Sequence, residues 1–238
     1  MSARTRILLA VVVVAVVAAG GLLWWYLDDD APPEVTLDAA VQSVEDTPAE
    51  PADGVDGTWT IDTETGEFDY ETATGTFAGF RIQEELASIG AATAVGRTGD
   101  VAGTVTIEGT TVTDARIDVD VTTIRTNEQR RDGRVQDALQ TDTHPSATFE
   151  LTAPVELGEA AAEGGQVSVV APGELTISGT TRPVEFPLEA QLVGDTVVVV
   201  GSLDVAFSDF DVQVPESPAV LSVEDHGTVE LQLLLVRS

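Results

Sequence analysis

The most distinctive chemical groups of this chain are four arginines crowded into one short segment. Arg125, Arg130, Arg131 and Arg134 lie within ten residues, although the whole chain has only 11 basic residues against 41 acidic ones. A guanidinium group binds phosphate and carboxylate well, so the segment predicts contacts with an anionic headgroup at Arg130, Arg131 and Arg134. The alternative is that these arginines form ion pairs with acidic residues of the same segment.

The remaining polar residues do not form a recognisable catalytic motif. His144 and His226 are the only histidines and lie in separate turn-like contexts, so a triad or a metal site would need partners from elsewhere in the chain. With 41 acidic residues, close carboxylate pairs are expected by chance. The absence of cysteine excludes disulfides and thiol chemistry. We therefore expect no enzymatic activity, no cofactor and no metal ion.

The charge of the chain restricts its partners. The formal net charge is −30, which excludes nucleic-acid binding because phosphate contacts need a basic surface. It also disfavours attachment of the whole molecule to an anionic membrane through charge alone. A surface this acidic is strongly solvated and self-repelling, which favours solubility.

The segment that carries the arginines has the pattern of a short helix. Thr126 and Gln129 have the spacing of a capping box, with Thr126 as the N-cap. Val135, Ala138 and Leu139 then fall on one helical face. We expect this face to close over the apolar end of a β structure.

The segments on both sides of this helix read as β-strands. In Ala115–Val121 apolar residues alternate with charged ones, so that Ile117, Val119 and Val121 face one side. A bulge at Gly79 is expected to reset the same alternation in the strand that contains Phe77 and Phe80. Eight or nine such strands indicate an all-β antiparallel domain. By periodicity alone, a closed barrel and a two-sheet sandwich both fit.

Three segments of the chain resemble the YceI-like family. They are TNEQRRD at 126–132, HPSATFE at 144–150, and GELTISGTTRPVEFPL at 173–188. The resemblance implies an antiparallel eight-stranded lipocalin-like barrel with one short helix, which holds a polyisoprenoid or similar long-chain amphiphile. The opening strands depart from the family, since the histidines that many members carry there are missing.

If the barrel is hollow, apolar residues of its strands and strand ends should line the ligand. Ordinary core packing is the alternative for each residue taken singly. The predicted barrel lining consists of Phe77, Phe80, Ile82, Ile117, Val119, Val121, Phe149, Leu175, Phe186, Leu188, Phe207 and Phe210.

The N-terminal part of the chain predicts a membrane anchor. Residues 7–27 contain no charge and, at about 1.5 Å per residue, are long enough to cross a bilayer. Arginines precede this segment and aspartates follow it, so residues 1–6 should be cytoplasmic and the rest extracytoplasmic. A cleaved signal peptide is the alternative. Residues 28–57, rich in Asp, Glu, Pro and Ala, predict a disordered acidic linker before the barrel domain at 58–237.

Two classes of function follow from these features. In the first, the chain is a cell-membrane protein with a single pass, whose extracytoplasmic barrel binds a long-chain isoprenoid or lipid. In the second, the barrel is filled by its own side chains and acts as an extracellular structural or interaction module. The identity of the ligand and the oligomeric state are open at this level.

Overall fold

The chain folds into a closed antiparallel β-barrel of eight strands. The computed structural model describes residues 31–45, 54–64, 66–86, 90–212 and 220–238. Within these ranges no helix has the length and apolar character needed to cross a bilayer. The anchor predicted at 7–27 lies outside the described residues.

The strands agree with the period-2 pattern of the sequence, and most of them are long. The bounds are β1 Gly57–Asp62, β2 Phe77–Leu86, β3 Gly90–Thr98, β4 Val101–Glu108, β5 Thr111–Asp120, β6 Arg125–Thr126, β7 Ser146–Leu151, β8 Val155–Glu156, β9 Val167–Ile177, β10 Thr180–Val193, β11 Thr196–Ala206 and β12 Val220–Arg237.

The barrel closes because β1 pairs on both of its edges. Trp59 of β1 lies opposite Arg237 of β12 on one side and opposite Val105 of β4 on the other. The ring then runs β1-β4-β5-β7-β9-β10-β11-β12 and returns to β1. Closure of this kind pairs the backbone N–H and C=O groups of the edge strands and encloses one continuous interior.

Strand β12 is long enough to join two sheets. Its last residues pair with β1, while its residues up to and including Gln232 pair with β2. Strand β2 continues the sheet through β3 to β6. The wall therefore divides between β3 and β4, which are adjacent in sequence but pair with different neighbours.

The described residues contain three α-helices, where the sequence predicted one. They are α1 Leu37–Glu45, α2 Gln129–Ala138 and α3 Glu159–Ala162. Helix α1 falls inside the stretch predicted as a disordered linker, and that prediction is wrong for its residues. Leu37, Ala40 and Val44 are buried against the barrel wall, and this contact supplies the apolar burial that offsets chain entropy.

Helix α2 is the predicted helix, but it begins differently. Its N-cap is Glu128, whose carboxylate accepts from the amide of Arg130. The predicted N-cap, Thr126, lies in β6, and its amide donates to the carboxylate of Asp132. Pairing with β3 holds Thr126 in extended backbone, so the helix starts later.

Candidate ligand-binding site

The interior of the barrel is apolar along its whole length. Strand registers place alternate residues on the inner face, and these form two continuous clusters. One cluster surrounds Trp59, whose indole N–H donates to the carbonyl of Val55 at 2.8 Å. The other surrounds Leu175 and Phe207 at the opposite end, and the two clusters share Phe149. A long apolar chain could therefore lie along the barrel axis.

Side chains inside the barrel are not all sealed from solvent. The strands of the ring are hydrogen-bonded on both sides, so solvent reaches most inward side chains only through the interior or the barrel ends. Val119 is also reached through a cleft beside the β3–β4 turn. Accessible apolar surface therefore remains inside the barrel. The inward side chains that stay partly exposed include Val119, Phe149, Val169, Leu188, Ala190, Val199, Leu203 and Val229.

The structure brings most of the predicted lining residues together on the inner face. Aromatic rings cover glycines on neighbouring strands: a Cβ at Gly96 would collide with Phe80, and one at Gly173 would collide with Phe149. Each ring therefore reaches over the glycine of the neighbouring strand on the inner face of the barrel. The predicted lining residues that face inward are Phe80, Ile82, Ile117, Val119, Phe149, Leu175, Phe186 and Leu188.

The prediction that Phe77 lines the barrel is wrong. Its partner in the register is Gln232, which points to the outer face, and the Phe77 ring lies under the guanidinium of Arg97 at 4.6 Å. The expected bulge at Gly79 is absent, because β2 pairs with β3 in unbroken register. Without the bulge, Phe77 and Phe80 point to opposite sides of the wall.

Three further lining residues are buried but lie off the strands. Val121 is in the 3₁₀ turn Val121–Thr123 that ends β5. Phe207 and Phe210 are in the 3₁₀ turn Phe207–Phe210, where they pack against Leu175 and Val205. This turn closes part of one barrel end, so its phenylalanines form an end wall and do not line the side.

Helix α2 lies across the same end of the barrel, here called the helical end. At its start, Arg131 pairs with Glu84 of β2 at 2.6 Å. At its end, the carbonyl of Leu139 accepts from Ser178 in the β9–β10 turn at 2.9 Å. Because β2 and the β9–β10 turn lie on opposite sides of the barrel, these two contacts place the helix across the opening. None of the residues of α2 is buried, so the predicted packing of its apolar face on the barrel end stays a prediction.

The predicted headgroup arginines occupy different environments. Arg131 is part-buried, and besides Glu84 it donates to the amide oxygen of Asn127 at 2.7 Å. Glu84 projects from the same face of β2 as Ile82, so this ion pair lies at the inner rim of the helical end. Arg130 and Arg134 are exposed on the helix. Arg131 therefore finds its acidic partner outside its own segment.

A cleft of about 510 Å³ lies beside the β3–β4 turn, against the paired ends of β4 and β5. Its lining includes Val101 and Val119, which also belong to the inner cluster. Asp100, Asp118 and Asp120 form its rim. Across the described residues, no three His, Asp or Glu side chains are placed to hold a metal ion.

An ion pair that the sequence did not reveal is buried on the outer face of the wall. Arg97 of β3 donates to Glu230 of β12 at 2.6 Å, and their side chains are 0% and 1% exposed. Tyr70 lies beside this pair and donates to the carbonyl of Val95 at 2.8 Å. Burial raises the pKa of the Tyr70 hydroxyl to about 12. In the sequence, Arg97 and Glu230 are isolated charged residues within strands, and the pattern around them did not indicate that they would be buried.

Comparison with known proteins places this architecture in a family. A family model described as a YceI-like domain matches residues 59–235. A protein of Shewanella denitrificans described as a UPF0312 protein is 27% identical over 161 residues, covering 63% of this chain and 80% of that protein.

Two solved structures are similar in fold. BcnA of Burkholderia cenocepacia aligns with a TM-score of 0.52 at 20% identity, covering 66% of this chain and 95% of that chain. A polyisoprenoid binding domain from Saccharophagus degradans, implicated in plant cell wall breakdown, aligns with a TM-score of 0.55 at 16% identity. That alignment covers 77% of this chain and 100% of that chain. At these identities the likeness establishes the fold.

Proposed function

The chain belongs to the YceI-like domain family, and from this premise we propose that its barrel holds a polyisoprenoid or similar long-chain amphiphile. The observation that supports this function is the row of inward apolar side chains that remain partly exposed, including Val169, Leu188 and Val199. Ligand pockets of this kind are concave and mostly apolar. The domain of similar fold from Saccharophagus degradans is described as polyisoprenoid-binding.

The proposed site of action is the outer side of the cell membrane. The uncharged stretch at 7–27, with arginines before it and aspartates after it, supports a single anchor with the barrel outside the cytoplasm. Such an anchor would keep the barrel beside the lipids from which an isoprenoid ligand must come.

Binding without catalysis is the proposed activity. An amphiphile held along an apolar interior meets few polar groups that could act as acid, base or nucleophile. His144 covers the β9–β10 turn at Gly179, and His226 is exposed on β12 opposite the end of β11, so neither projects into the inner clusters.

Native mass spectrometry of the full chain in detergent tests the proposed function. A co-purified long-chain lipid, or uptake of an isoprenoid alcohol at one molecule per chain, is the expected result. A ligand-free mass with no uptake of isoprenoid alcohols or quinones would contradict it. That outcome would favour the interaction module with a filled barrel.

Arg131 is the proposed contact for the ligand headgroup, because it is the arginine at the inner rim of the opening. Replacing it with glutamine should weaken the binding of a polyprenyl phosphate by about 10–100-fold, the value of one charge-assisted hydrogen bond. Binding of the neutral polyprenyl alcohol should be unchanged. Titration of both ligands by intrinsic fluorescence measures the difference.

Arg116→Gln is the matched control for this substitution. Arg116 lies on the outer face of β5 and pairs with Asp118 and Glu150, away from the opening. Its replacement should affect neither ligand. Equal loss of both ligands in Arg131→Gln would show that Arg131 only positions α2, and no loss of either would exclude it from the site.

A further inference from the structure

A segment outside the family-matched region is packed along the outside of the barrel. Residues 31–45, here called the strap, precede the matched region at 59–235. Their extended first part crosses β2 and β3, and their second part is helix α1. The strap contributes no strand to the barrel, so its position on the outer face needs a separate explanation.

The first part of the strap is fixed by two arginines of the wall. Arg81 donates to the carbonyl of Pro32 at 2.9 Å, and Arg97 donates to the carbonyl of Pro33 at 2.6 Å. Arg97 also forms the buried ion pair with Glu230. The strap therefore completes the hydrogen bonding of a charged group that has no access to solvent.

The second part of the strap is fixed by apolar packing. Leu37, Ala40 and Val44 of α1 form one helical face and are 2%, 0% and 5% exposed. Beneath them lie Val198 and Leu234, on the outer face of β11 and β12. Polar contacts at one end and apolar burial at the other hold the strap against the wall along its length.

The strap has a defined direction across the wall. It begins with Pro32 beside Arg81 of β2 and Pro33 beside Arg97 of β3, and α1 lies over β11 and β10. Arg97 pairs through its backbone with Arg125 of β6, and β6 leads directly into α2. Toward its N-terminus the strap passes from Arg97, which lies opposite Gly79 of β2, to Arg81, which is nearer along β2 to Glu84 at the rim of the helical end. The first residues of the strap therefore point toward the helical end.

The same side carries the basic cluster of an otherwise acidic molecule. Arg125 and Arg130 are both exposed there. A particle with a net charge of −30 is repelled by an anionic surface in most orientations. Residues 125–138 carry four arginines against Glu128, Asp132 and Asp137. An orientation that presents this segment first is therefore the least repelled, and a tether can supply the attraction that net charge does not.

We propose that the surface formed by β6 and α2, here called the α2 face, docks on an anionic lipid bilayer and that the strap holds it there. This inference rests on the proposed membrane anchor. Position 27, the end of the apolar stretch, lies five residues before Pro32, so the chain can span at most about 17 Å between them. The helical end of the barrel then faces the lipids, and an amphiphile can pass between bilayer and interior without crossing water.

Single labels on the full chain test this orientation directly. The chain has no cysteine, so Gln129→Cys on the α2 face and Asp195→Cys in the β10–β11 turn each give one labelling site. The full chain is reconstituted into vesicles of phosphatidylcholine and phosphatidylglycerol in equal parts, with a quencher attached to the lipid headgroups. We expect quenching several-fold stronger at position 129 than at 195.

Two sets of variants separate the strap from the charges. Arg125→Gln with Arg130→Gln should reduce quenching at 129 on the mixed vesicles and leave it unchanged on phosphatidylcholine alone. Leu37→Asp with Ala40→Asp should release the strap and remove the difference between 129 and 195. Circular dichroism checks that the strands of these variants remain folded.

Several outcomes would overturn the inference. Equal quenching at both positions in the parent chain, or stronger quenching at 195, excludes docking through the α2 face. A difference that persists after release of the strap excludes its role, and failure of the chain to enter vesicles removes the premise of an anchor. Native mass spectrometry reads ligand binding separately, so loss of orientation and absence of a ligand are distinguishable results.

Discussion

Replacing Arg97 with methionine is expected to lower the free energy of unfolding by about 3–5 kcal/mol. Removal of one partner leaves Glu230 as a buried charge without its close counterion. Arg81 offsets only part of this loss, because it lies 3.8 Å from the Glu230 carboxylate and makes no hydrogen bond to it. The strap would also lose the hydrogen bond to Pro33. Urea unfolding followed by circular dichroism measures the change.

Arg116→Gln provides the comparison for this effect. Arg116 pairs with Glu150 across neighbouring strands, but about half of each side chain is exposed. Exposed pairs contribute up to about 1 kcal/mol, so its loss should be small. If Arg97→Met were no more destabilising than Arg116→Gln, the burial of the outer-face ion pair would not contribute to stability as described.

Replacing Ala190 with tryptophan is expected to abolish binding of the amphiphile. Ala190 of β10 faces inward opposite Val199 of β11, and both side chains retain accessible surface. An indole at this position would occupy the space that the ligand chain needs. Overpacking of a core costs about 1–3 kcal/mol, so a barrel with free interior space should tolerate the change. Native mass spectrometry measures the bound lipid.

Glu189→Trp is the matched control, since Glu189 is the next residue and is exposed on the outer face of the same strand. It should retain the ligand. If Ala190→Trp remained folded and still carried a full complement of lipid, the interior around Ala190 could not be the binding site. Unfolding of Ala190→Trp with normal folding of Glu189→Trp would show that the interior is already filled.

Much of the barrel could be predicted from alternation in the sequence. Ile117, Val119 and Phe149 face inward as their period-2 patterns indicate, because one wall side is apolar and the other meets water. The alternation failed at Phe77, where the outer face is itself covered. Where the outer face is also buried, both faces of a strand can carry apolar residues. The sequence then does not indicate which side chains point into the barrel.

Two elements escaped prediction for different reasons. Strand β3 is built largely from small residues such as Ala92 and Gly96, so it shows little apolar periodicity. Helix α1 does have apolar residues at Leu37, Ala40 and Val44, but they are set among acidic and small residues. Its composition indicated a disordered linker, and only the apolar patch on β11 and β12 gives the helix a surface to bury against.

The sequence by itself determined the all-β class, the presence of α2, and the resemblance to the YceI-like family. These depend on local periodicity and on motif spacing, which are properties of short segments. The tertiary structure decided which arginine reaches the inner rim, which phenylalanine lies outside the wall, and where the strap is bound. Those features depend on contacts such as Arg131 with Glu84 and Arg97 with Glu230, between residues far apart in the chain. The basic segment accordingly contains one part-buried arginine at the opening, Arg131, and exposed arginines such as Arg125 and Arg130.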